Sequence, residues 1–219
     1  MYKYILFDLD GTLTDSKEGV CKSVQHALAK MNRPVPPIDE LDCFIGPPLS
    51  YSFVKYSGLT PEEAEEAISI YRERYSTVGK YENRPYDGIP ELLAALKADG
   101  RILSVASSKP EPYVRDILKH FDIEKYFDVV SGADFAGLKG EKEDVMAEAL
   151  KQMGIVTDED KKDVVMIGDR HYDINGAHFF KLDSIGTDYG YAPEGELKEA
   201  GATYVVATVE ELRKLLMEA

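Results

Sequence analysis

The stretch from Tyr4 to Ser16 reads YILFDLDGTLTDS, and its reading decides the fold. Tyr4 to Phe7 is a short apolar run of β-forming residues, followed at once by acids, a glycine and hydroxyls. That pattern predicts a buried strand ending in a loop of functional residues. Asp8 and Asp10 lie two apart, so in extended backbone their carboxylates share a side and Leu9 faces away. Carboxylates that close repel unless a cation sits between them, and a hard divalent ion such as magnesium answers the repulsion. Gly11 allows a sharp turn and the Thr12 hydroxyl can fix the loop. An Asp-Gly hairpin turn is the competing reading. The following segment opposes it, because Val20 to Met31 has helical rather than alternating periodicity.

Downstream, Val20, Val24, Ala27, Leu28 and Met31 form the stripe of an amphipathic helix. Leu41 to Gly58 reads as a turn set in an apolar context. Thr60, Pro61 and Glu63 spell a helix start with a capping box. Residues 16–86 are therefore expected to be wholly helical. From Asp87 onward, helix and strand alternate. Strands are expected at Ile102–Ala106, Phe127–Ser131, Val164–Ile167, Asp183–Gly186 and Tyr204–Val206. Helices are expected at Ile89–Leu96, Glu111–Phe121, Lys142–Met153 and near Ile174–Phe180, with a last one at Val209–Met217. This order predicts an α/β fold, a doubly wound parallel sheet interrupted by an all-helical insert. The expected division is a core of residues 1–15 and 87–219 and a helical cap of residues 16–86.

In such sheets ligands bind beyond the carboxyl ends of the strands. The candidate residues fall there: Asp8 and Asp10, Ser107 and Ser108, Lys142 at a helix start, and Asp169 with Asp173. Each has a plainer reading on its own, as an N-cap, a solvated lysine or a turn. Together they resemble the four motifs of the haloacid dehalogenase-like hydrolases over nearly the whole chain. Asp-x-Asp-Gly-Thr-x-x-Asp-Ser is the first motif and Ser107 in VASSKP the second. Lys142 in GEKEDV is the third, with Lys139 as a rival, and Asp169 and Asp173 in MIGDRHYDI are the fourth.

The resemblance implies a magnesium-dependent phosphatase of a small phosphorylated metabolite, phosphoglycolate phosphatase-like, with a 5′-nucleotidase or a pyrophosphatase of the same mechanism as the alternatives. Asp8 would be the nucleophile that forms an aspartyl-phosphate, and Asp10 the general acid and base. Asp8, Asp169 and the Asp10 carbonyl would hold the metal, with Asp173 orienting them from behind. Thr12, Ser107, Ser108 and Lys142 would bind the phosphoryl group. Gly46-Pro47-Pro48-Leu49 resembles the cap loop of phosphoglycolate phosphatase-like and bacterial 5′-nucleotidase-like members, which makes Gly46 and Pro47 substrate-contact candidates. Gly168-Asp169-Arg170 and Tyr189-Gly190-Tyr191 resemble the same branch. Arg84 and Arg170 are candidates for substrate contact or for surface ion pairs. A β-phosphoglucomutase-like transferase is disfavoured because Val20 stands where those relatives carry a histidine, and Asp10 disfavours a dehalogenase. A receiver-type regulator would lack the helical insert.

The charge balance is acidic, so an anionic small-molecule substrate would need a focused positive site made from a metal, a lysine and backbone amides. Hydrophobic residues are 44% of the chain and charged residues 30%, ordinary values for a globular protein. A formal net charge of -14, with no basic run, excludes a nucleic-acid or anionic-membrane surface as the expected partner. No apolar run approaches a membrane span, and an early first strand leaves no room for a signal peptide, so a cytoplasmic protein is expected. Cys21 and Cys43 offer neither a disulfide framework nor a zinc spacing. His26, His120, His171 and His178 fit no metal spacing. No protein partner is inferable.

Overall fold

The computed structural model describes residues 2–135 and 140–218. Its chain divides into two compact units, one of Met1–Thr14 with Pro85–Ala219 and one of Asp15–Arg84.

The first unit is built on a six-stranded sheet: β1 (Tyr4–Phe7), β4 (Ile102–Pro110), β5 (Val129–Ala133), β6 (Val164–Gly168), β7 (Asp183–Thr187) and β8 (Tyr204–Val206). The order is β5-β4-β1-β6-β7-β8, with every neighbouring pair parallel. Crossover helices are α4 (Ile89–Ala98), α5 (Glu111–His120), α6 (Lys142–Gln152), α7 (His171–Phe180) and the single turn α8 (Glu196–Glu199), and α9 (Val209–Glu218) follows the last strand. The period of two sends Ile5 and Phe7 into a core with Leu92, Leu96, Ile117 and Leu212. It sends Leu6 to the other face, against Met146, Ala149, Met166 and Ala177. Both faces are therefore covered, as a parallel sheet requires.

Register positions the site. Phe7 is level with Val105 on one side and Ile167 on the other. Asp8, Ala106-Ser107 and Gly168-Asp169 thus emerge at one edge, where the connections turn from one flank of the sheet to the other.

The helical unit holds α1 (Lys17–Lys30), α2 (Leu49–Ser57) and α3 (Pro61–Tyr75). Thr60 and Glu63 close the capping box reciprocally at 3.2 and 2.9 Å. At the boundary of the units, β2 (Thr14–Asp15) and β3 (Arg84–Pro85) form a two-stranded ribbon. Among the described residues, no helix is long and apolar enough to cross a membrane.

Several boundaries differ from the sequence reading. Leu49–Ser57 is a helix, not a run of turns; it begins after Pro48 and ends at Gly58, whose φ of 64° provides a left-handed cap. Its pattern is obscured in the sequence because Tyr51, Val54 and Tyr56 are exposed. Residues 16–86 are not wholly helical, since Arg84–Pro85 pairs in the ribbon. β4 runs on through Ser107, Ser108, Lys109 and Pro110, with a register shift against β5 between Ser107 and Pro110. The two serines are strand residues, and the N-cap of α5 is Pro110.

Candidate active site

Asp8 leaves β1 with its carboxylate 5% exposed as a residue, and beside it lie Asp169 and Asp173, each 1% exposed. One oxygen from each of Asp8, Asp169 and Asp173 falls within 4.8 Å of the others. Burying three carboxylates together is unfavourable unless cations compensate. Lys142, buried at the start of α6, supplies one: Nζ lies 3.0 Å from Asp8 Oδ1 and 2.7 Å from Asp173 Oδ1, and donates to Ala106 O at 3.0 Å. Burial favours the neutral amine, but the attraction of Asp173 and Asp8 outweighs it and holds the Lys142 ammonium above its usual range.

The acids respond in kind. Burial pushes Asp169 well above the usual carboxyl range, and the charges of Asp173 and Asp8 push it further. Asp173 is also raised by burial, against the opposing pull of Lys142. Asp173 Oδ2 is fixed by the Arg170 N–H at 3.0 Å, at the first turn of α7. Asp169 Oδ2 accepts from the Tyr191 N–H at 2.8 Å, while Oδ1 is buried without a partner.

That orphaned oxygen, an all-oxygen donor set and one ammonium among three acids together fit a hard divalent cation. Gly11 is part of the fit. With φ at +76°, and with Asp169 Oδ2 2.0 Å from where its Cβ would lie, only glycine lets the loop pass so close to the carboxylate.

The remaining candidates of the first unit lie near the same strand ends. Asp10 is buried, and its carboxylate turns to Lys109 rather than to the acid cluster, with contacts of 2.8 and 2.7 Å. Ser107 is buried on β4, and its Oγ accepts from the Lys109 N–H at 3.4 Å. Ser108 is half-buried beside it. Thr12 is fully buried with Oγ1 unpartnered. Gly46 and Pro47 belong to the helical unit. Lys139, the rival to Lys142, lies outside the described residues. Arg84 pairs with Asp15 at 2.9 Å, and Arg170 with Glu196 at 2.8 Å.

Lys109 is the functional candidate that sequence reasoning misses. A signal for it exists: Ser107 and Lys109 are two apart, and a strand continuing past Ala106 puts both on one face. The Tyr189-Gly190-Tyr191 turn, in sequence no more than a likeness, touches Thr12 and Asp169 directly.

Comparison with known proteins shows the family. The family model of haloacid dehalogenase-like hydrolases matches residues 5–187. A 5′-nucleotidase of Pseudomonas aeruginosa is 41% identical over 98% of this chain and 96% of its own. The tyrosine-protein kinase PtkA of Mycobacterium tuberculosis is 42% identical over 97% of this chain and 72% of its own. A phosphoglycolate phosphatase of Colwellia psychrerythraea is 29% identical over 95% and 94%. The crystal structure of a predicted phosphatase from Clostridium acetobutylicum superposes with a TM-score of 0.94, at 45% identity and full coverage of both chains.

Proposed function

The chain belongs to the haloacid dehalogenase-like hydrolases and is a phosphatase of that family, and we propose that it hydrolyses small phosphate monoesters with magnesium through an aspartyl-phosphate on Asp8. The observation that carries this reading is the buried trio of Asp8, Asp169 and Asp173 around the single ammonium of Lys142.

In the first step an Asp8 oxygen attacks phosphorus and the bond to the ester oxygen breaks. Asp10 gives that oxygen its proton, so an alcohol leaves rather than an alkoxide. In the second step a water attacks the aspartyl-phosphate, its proton passes to Asp10, and Asp8 is released with free phosphate. Lys142 and the Ser107 hydroxyl offset charge on the non-bridging oxygens, which is most of what phosphoryl transfer asks of a protein. Magnesium, when held by Asp8, Asp169 and the Asp10 carbonyl with Asp173 orienting them, neutralises charge on the transferred group. The helical unit is the proposed cap, with Gly46 and Pro47 in its substrate loop.

The 41%-identical 5′-nucleotidase favours nucleoside 5′-monophosphates over phosphoglycolate as the first substrates to try. The test is phosphate release from nucleoside monophosphates, phosphoglycolate, sugar phosphates and pyrophosphate, with magnesium and with chelator. Release is expected only with magnesium, with one substrate preferred, and is expected to vanish in folded Asp8→Asn. No release from any of them, or an Asp8→Asn protein with near-normal turnover, overturns the reading. Phosphate that moves to a tyrosine side chain faster than to water instead makes the protein a transferase.

A further inference from the structure

We propose that Tyr189, Gly190 and Tyr191 are a positioning loop that sets the affinity of the site for its divalent cation by deciding which oxygen Asp169 presents. The inference rests on the reading above, in which Asp169 is a cation ligand.

The loop follows β7, the strand next to β6, and reaches back over the site at several points. The Tyr191 N–H donates to Asp169 Oδ2 at 2.8 Å. The Tyr189 hydroxyl donates to Thr12 O at 3.0 Å, and Thr187 Oγ1, at the end of β7, lies 3.5 Å from Gly11 O. These contacts fasten both the Asp169 carboxylate and the turn after the nucleophile to one short segment. With Oδ2 tied down, Oδ1 is left as the carboxylate oxygen that is buried without a hydrogen-bond partner, free to serve a cation. Outer contacts of this kind fix a ligand's orientation before the metal arrives.

Gly190 makes the approach possible by its size. A Cβ there would stand 2.3 Å from Asp169 Cβ and 2.5 Å from Gly11 O. Gly190 is not among the glycines with positive φ, so its backbone suits any residue and space alone restricts the position. An alanine would push the loop off Asp169 and carry the Tyr191 N–H with it. A turn with no purpose beyond closing the chain would not need this contact.

The experiment is calorimetric titration of magnesium into the metal-stripped full chain, as wild type, Tyr189→Phe, Gly190→Ala and Asp169→Asn. Gly190→Ala is expected to weaken magnesium binding by about 10- to 100-fold. Tyr189→Phe, which deletes one hydrogen bond, is expected to weaken it by roughly 2- to 10-fold. Both variants should regain wild-type substrate KM once magnesium is saturating, a rescue that general damage to the fold would not give. If Gly190→Ala does not fold, Tyr189→Phe decides alone. Unchanged magnesium affinity in folded variants overturns the positioning role. Wild-type protein that binds no magnesium, or Asp169→Asn that binds it as tightly as wild type, overturns the assignment of the site instead.

Discussion

Replacing Lys142 by methionine tests the electrostatic account of the site most directly. The lysine stem packs against Gly176, where an added Cβ would meet Lys142 Cγ at 2.9 Å, and methionine keeps most of that volume. What is lost is the ammonium that approaches Asp8 at 3.0 Å, Asp173 at 2.7 Å and Ala106 O at 3.0 Å. Removing one partner from a buried ion pair destabilises by about 3–5 kcal/mol, because the remaining charge keeps its desolvation penalty. The carboxylates have a partial escape by binding protons, which becomes easier by about 1.4 kcal/mol for each tenfold rise in proton concentration. The full deficit is therefore expected near pH 8 and a smaller one near pH 6. In a chain of this length it corresponds to a fall of roughly 6–20 °C in Tm. The assay is urea and thermal unfolding of the metal-stripped protein at both pH values. Lys142→Met as stable as wild type near pH 8 would refute the reasoning, since the acids would then have to be neutral or hydrated.

Two further outcomes follow from the same groups. Lys109→Met removes the contacts that fix the Asp10 carboxylate and, by misplacing the proposed acid, is expected to lower kcat/KM on an alkyl phosphate about 100-fold, with less loss on p-nitrophenyl phosphate, whose leaving group needs no proton. Equal losses on both substrates would mean that Lys109 does not act through the acid. Metal-stripped wild type should lose stability as pH rises from about 5. The sign follows from Asp169, whose raised folded-state pKa makes the native chain hold a proton that the unfolded chain releases. Asp169→Asn should flatten the slope measured by urea unfolding, and an unchanged slope would place its origin elsewhere.

The sequence reveals the fold and the acids for one physical reason. A buried parallel strand is a continuous apolar run, and functional side chains start where the run stops. Phe7-Asp8 and Gly168-Asp169 are breaks of that kind, so those acids are legible. Lys109 is hidden by an early strand stop, since Ser-Ser-Lys-Pro reads as a loop although it continues β4 through a register shift. The Tyr191 contact is hidden more deeply, because the donor is a backbone N–H, a group that every residue except proline carries. Asp173 shows the intermediate case. Its place four residues after Asp169 is readable, but its hold on Lys142 depends on α6 and α7 meeting in space.

Lys109 also completes the charge account of the site. Among the described residues, the edge gathers four carboxylates, from Asp8, Asp10, Asp169 and Asp173, and two ammonium groups, from Lys109 and Lys142. Arg170 adds nothing to the balance because Glu196 neutralises it. With all these groups ionised, two negative charges remain, the charge of one divalent cation. A monovalent ion would leave the pocket negative, and a phosphate ester would then meet repulsion there as well as from a chain of net charge -14. A divalent ion would bring that balance to zero, and to one positive charge while Asp10 carries the proton that the proposed mechanism has it donate. On the proposed mechanism, directed donors, the Ser107 hydroxyl, the Lys142 ammonium and loop amides, would act on phosphoryl oxygens more than on the rest of the substrate. Donors so directed would recognise the phosphoryl group and leave the choice of leaving group to other residues.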